Sequence, residues 1–68
     1  MCTISAKIDS IRILNFSINS AYAIDKDCEI KKTEIEDGVF LTISFSTKDG
    51  LDLYLKEVEN KGVKIDFL

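Results

Sequence analysis

Apolar and polar residues alternate singly along one stretch of the chain, with Val39, Leu41, Ile43 and Phe45 set against Phe40, Thr42 and Ser44. A period of two predicts a strand with one buried face. Asp37-Gly38 just before it predicts a tight hairpin turn, because Gly reaches positive φ without a Cβ clash. Just after it, Ser46, Thr47 and Asp49 offer side-chain oxygens to the open N–H groups of a helix start. The pattern then turns helical: Leu51, Tyr54, Leu55 and Val58 make one apolar stripe over roughly Lys48 to Lys61. Asp52 with Lys56 and Glu57 with Lys61 are acid-before-base pairs four apart, and Gly62 suits the left-handed residue that closes a helix. Val63, Ile65 and Phe67 alternate with Lys64 and Asp66 and predict a final strand.

The N-terminal half is less decided. Ile4, Ala6 and Ile8 against Ser5 and Lys7 predict a strand from Met1 to Ile8, and Asp9-Ser10 breaks the phase. From Ile11 to Asn19 two readings compete. As a strand, Leu14, Phe16 and Ile18 face inward; as a helix, Ile11, Leu14, Ile18 and Ala21 fall three and four apart. Asn15 to Ser20 is an unbroken run of mediocre helix formers, which favours the strand. Asn19-Ser20 would then turn the chain into another strand, Ala21 to Ile24, ahead of a polar loop or bulge at Asp25-Lys26-Asp27. Cys28 to Ile35 predicts a charged edge strand, and because Ile30 and Ile35 are out of phase, a bulge between them.

The expected fold is therefore α+β, a single domain over 1–68. It is a small antiparallel sheet of four to five strands with one C-terminal helix packed on one face, in the order ββββαβ. If Ile11 to Ala21 is helical instead, the order becomes βαββαβ, the ferredoxin-like arrangement.

Composition narrows the function. With 68 residues, 46% hydrophobic and 31% charged, the chain is globular and has no room for separate substrate and cofactor lobes. A core this small typically leaves only about 3–5 kcal/mol of stability, so association with a partner or a second copy is the expected remedy. The net charge is −3, and of the basic residues only Lys31 and Lys32 are adjacent. Nucleic acid, which needs clustered Lys and Arg, is not an expected partner. No apolar run approaches the roughly 18 residues of a membrane span, and the N-terminus lacks a basic-then-apolar leader. A cytoplasmic protein is expected, with Cys2 and Cys28 reduced.

Chemistry-bearing constellations are few. Histidine is absent, which removes the commonest general base and transition-metal ligand. Cys2 would become an N-terminal thiol on removal of Met1, but it reads better as a small apolar residue opening a strand. Cys28, between Asp27 and Glu29, has neighbours that raise a thiol pKa, and reads as packed and inert. Asp25, Asp27, Glu29 and Glu36 fall on the first, third, fifth and twelfth places of a calcium loop, yet Ile30 stands where the sixth place needs Gly. Asp52, Glu57 and Glu59 read as a solvated helix face, and Ser46 to Gly50 as a cap rather than an anion site. No catalytic, metal or cofactor residue is assigned, and no cofactor is expected.

The informative residues are apolar ones on polar faces. Phe40 points away from the face that holds Leu41, Ile43 and Phe45. Leu53 lies about 200° around the helix from Leu51, among Asp52, Lys56 and Glu57. Tyr22 and Ile35 are expected to share the sheet face with Phe40. Together Phe40, Leu53, Tyr22 and Ile35 are the candidate protein interface. The function expected is a non-enzymatic protein–protein interaction module, homodimeric, of the inhibitor, adaptor or accessory type that phages and mobile elements often carry. The alternative is a small-molecule-sensing domain of ferredoxin-like form, with ligand held between subunits.

Overall fold

The strand anticipated around Leu41 lies inside the sheet, with a neighbour on each side. A computed structural model describes residues 2–68. These form β1 (Cys2–Ile8), α1 (Ile11–Ile24), β2 (Glu29–Ile35), β3 (Gly38–Phe45), α2 (Lys48–Asn60) and β4 (Asp66–Phe67). The strands make one sheet in the order β2-β3-β1-β4, every neighbouring pair antiparallel. Directly opposed residues share a face, so Leu41 opposite Ala6 and Val39 opposite Ile8 point the same way. Both helices pack on that face. The core joins Ala6 and Ile8 of β1, Leu41, Ile43 and Phe45 of β3, Ala21 of α1 and Tyr54 and Val58 of α2. Tyr54 stands at its centre, its ring 5.3 Å from Phe45 and edge-on to Phe67 at 6.5 Å.

The segment from Ile11 to Ile24 is a helix, which corrects the order ββββαβ to βαββαβ. Asn19-Ser20 lies within it and is not a turn. Ser10 caps its start, its hydroxyl accepting from the Ile13 N–H at 3.5 Å. Ser17 and Ala21, one turn apart, are fully buried. Their small side chains let α1 lie close to its neighbours, while Leu14, Phe16, Ile18 and Ile24 pack against the core. Tertiary burial outweighs weak local propensity here. Ser17 Oγ makes no hydrogen bond; the Tyr54 hydroxyl is its polar neighbour but stands outside hydrogen-bonding geometry.

β2 is an edge strand as expected, but its ladder runs from Glu29 opposite Ser44 to Ile35 opposite Gly38 without a bulge. Ile30 and Ile35 are out of phase because they belong to different faces. The turn is Glu36-Asp37, one residue earlier than expected, and Gly38 opens β3. Gly38 has φ of +145°, and a Cβ on it would run into the Ile8 carbonyl oxygen and lie 3.0 Å from Asp9 Cα. Glycine is needed there for the end of β1 to pass.

α2 begins where its caps predicted, with the Gly50 N–H donating to Thr47 Oγ1 at 3.1 Å. At its other end the Gly62 N–H donates to Glu59 O and the Val63 N–H to Val58 O, with Gly62 at φ of +66°. This paired closure turns Val63 back onto the core. Neither Asp52 with Lys56 nor Glu57 with Lys61 forms an ion pair; among the described residues the ion pair present is Lys7 with Asp37, 3.7 Å apart at the surface. The final strand is shorter than its alternation implied. Asp66 and Phe67 pair with Lys7 and Ala6, and the Leu68 N–H donates to Ser5 O, whereas Val63 and Ile65 pack onto the core.

Asp25 joins the two helices. It caps the end of α1, and its carboxylate accepts from both the N–H and the hydroxyl of Ser46 at 2.7 Å and from the Asp27 N–H at 3.0 Å. The Ser46 N–H, then its hydroxyl, hold this carboxyl below the usual aspartate range. A pKa lower in the folded than in the unfolded chain means stability that is present above the unfolded value and lost as pH falls through the folded one. Asp25→Asn is therefore expected to lower the Tm at neutral pH and to approach wild type below the folded pKa. Melting curves from acid to neutral pH check this, and a constant Tm difference would refute it.

Candidate functional site

The face of the sheet away from the helices is left open by the described residues. Its register sets Thr3 beside Ser44, Ser5 beside Thr42 and Lys7 beside Phe40 from β1 to β3, then Lys31 beside Thr42 and Thr33 beside Phe40 from β3 to β2. Thr3 and Ser44 hydroxyls are hydrogen-bonded at 3.1 Å, and those of Ser5 and Thr42 at 3.2 Å. The hydroxyls thus satisfy one another across strands and give the centre of the face a fixed polar lattice. Phe40, half-buried between Lys7 and Thr33, is its large aromatic residue.

Ile35 shares this face, opposite Gly38 and next in line to the Thr33–Phe40 row. It is 38% exposed. Tyr22 does not share it. Because residues 11–24 are helical, Tyr22 sits on α1, in the layer across the sheet, at 47% exposure. Leu53 lies on α2, 56% exposed, against Asp49, Asp52 and Lys56. Of the four candidate residues, the structure brings Phe40 and Ile35 together and leaves Tyr22 and Leu53 on separate helices.

One residue escaped the sequence reading. Ile11, counted there as part of an apolar stripe, is 77% exposed at the first turn of α1. With Leu14, Ile35 and Val39 it borders a groove of about 190 Å³ beside the Ile8–Ser10 turn. Ile35 stands where the groove meets the open face. Position alone carries the signal: Ile11 directly follows the capping Ser10 and opens the first turn of α1. A second, larger recess of about 450 Å³ opens on the other side of Ile8 and Asp9, where Val63 to Ile65 leave the ladder; Ile13 and Ile65 form its apolar wall and Lys7, Lys64, Asp9 and Asp66 its rim. Two basic and two acidic groups there favour neither sign of ligand charge.

The remaining chemical candidates are placed by the fold. Asp25 is spent on Ser46, and Glu29 lies in an extended strand, so the stretch from Asp25 to Glu36 does not wrap as a calcium loop. Among the described residues no group of three His, Cys, Asp or Glu side chains gathers as metal ligands. Cys28 is buried, and burial first, then the charge of Asp25, raises its thiol pKa; this holds it as the unreactive thiol. Cys2 lies in β1 opposite Phe45, and both thiols are free. No helix among the described residues is long and apolar enough to cross a membrane. Comparisons with protein-family models, with curated proteins and with solved structures returned no match.

Proposed function

We propose that this chain is a non-enzymatic protein–protein interaction module that works as a homodimer, of the small inhibitor, adaptor or accessory kind. The observation that carries this reading is the one-sided build: both helices lie on one face of the sheet, while the other bears the half-buried Phe40 and the exposed Ile35 with no element packed over them. Single exposed apolar residues are ordinary, but an aromatic and an aliphatic side chain on one open face, adjoining the groove beneath Ile11, form a contiguous docking surface. Phe40→Asp is expected to leave the circular dichroism spectrum intact and to change association measured by sedimentation. A monomeric wild type, with partner binding unaltered in Phe40→Asp and Leu53→Asp, would overturn the reading.

A second reading, a small-molecule-sensing domain of ferredoxin-like form, is favoured by two specific observations. It requires Ile11 to Ala21 to be helical, as found, and the recess of about 450 Å³ at Ile13 and Ile65 falls in the range of small-ligand sites, roughly 300–1,000 Å³. It expects metabolites to raise the Tm, and a flat thermal-shift screen would remove it.

A further inference from the structure

We propose that the outer edge of β2 is the seam between two copies, joined antiparallel about a two-fold axis through Thr33 to make one eight-stranded sheet. This rests on the homodimeric reading above and specifies its interface. β2 is the terminal strand, seven residues long, and all of its residues but the half-buried Ile30 are exposed. An edge of that length is normally blunted by a bulge, a proline, brevity or charge. The ladder of β2 is continuous and its sequence has no proline, so charge is the device that remains.

Those charges are ordered in a way that admits one pairing. When two like strands meet edge to edge about an axis normal to the sheet, residues of the same face must oppose each other. An axis through Lys32 pairs the whole strand but sets Lys32 against Lys32. An axis through Glu29, Lys31 or Glu34 likewise sets a charge on itself, one through Ile35 sets Glu34 against Glu36, and one through Ile30 leaves only Glu29 to Lys31 paired before the partner strand runs into the turn at Asp27. With the axis through Thr33, Lys32 of each copy opposes Glu34 of the other, twice over, on the helix-side face. On the open face Thr33 meets Thr33, a favourable cross-strand pair, and the Lys31 stem lies along Ile35 of the second copy. Lys32 and Glu34 are both exposed despite lying on the helix-side face, so α1 does not block the approach. The charges thus reject the neighbouring registers while joining this one. Since Thr33 adjoins Phe40, the seam places the two Phe40 side chains in one row and makes the two open faces a single surface.

The test uses the full chain in sedimentation experiments over a range of concentrations. Wild type is expected to dimerise. Lys32→Glu sets Glu against Glu34 at both places and Glu34→Lys sets Lys against Lys32, so each alone is expected to weaken the dimer on the order of tenfold or more. An equimolar mixture of the two variants restores opposite charges at both places and is expected to form a heterodimer, and the double variant Lys32→Glu/Glu34→Lys to regain wild-type affinity. Both positions are exposed, so unchanged circular dichroism is expected throughout. A wild-type dimer that neither single variant weakens would overturn the seam while leaving the homodimer standing. So would variants that weaken the dimer but are not rescued by mixing. A wild type that stays monomeric at every concentration would overturn both.

Discussion

Gly38→Ala is expected to remove most of the stability of the domain. Its Cβ would occupy the space of the Ile8 carbonyl oxygen and press on Asp9 Cα at 3.0 Å, and backbone atoms have no rotamer by which to yield. The φ of +145° adds conformational strain for any L side chain. Strain and displacement together cost about 2–4 kcal/mol, nearly the whole of the roughly 3–5 kcal/mol that a domain of this size retains. Gly62→Ala is the control: its φ is also positive, at +66°, but nothing lies within 4 Å, so only the left-handed penalty of about 1 kcal/mol applies. Urea titrations of the two variants should separate widely, and equal midpoints would refute the close passage of β1.

Tyr54→Ala is expected to match or exceed that loss. The ring packs against both Phe45 of β3 and Phe67 of β4, and only 1% of the residue's surface is exposed. Emptying a buried aromatic site costs about 3–5 kcal/mol. Tyr54→Phe should lose far less, because the hydroxyl makes no hydrogen bond with Ser17. If Tyr54→Phe proves as damaging as Tyr54→Ala, the phenol rather than the ring is what holds the core. Calorimetry of the two variants decides.

What the chain revealed beforehand follows from how far each signal reaches. β3 and α2 are legible because period, cap and closing glycine all lie within their own residues, from Thr47 to Gly62. α1 is not, because what makes it helical is the burial of Ser17 and Ala21 in a layer built with β1 and the later α2. Its local run from Asn15 to Ser20 argues for a strand, and its correct stripe of Leu14, Ile18 and Ala21 was outweighed. β4 carries a strand-like alternation, yet the paired bonds at Gly62 and Val63 steer Val63 and Ile65 into the core before the ladder begins. At the candidate site, parity with Leu41 and Ile43 places Phe40 on the open face, and Ile35 joins it there through the unbroken ladder of β2. Tyr22 goes with α1 to the other layer, and the exposure of Ile11 is not legible because a residue at the very end of a helix obeys the stripe without being covered.

The strand order has a consequence for how the chain comes to be folded. β1 lies between β3 and β4, and β3 lies between β1 and β2, so each half of the molecule supplies the middle of the other. Cys2 finds its ladder partner only in Phe45. During synthesis β1 must wait unpaired until β3 has left the ribosome, and contacts of such long sequence separation make for slow closure. Severed at the Glu36-Asp37 turn, neither piece would hold a sheet, but the two pieces mixed would each complete the other.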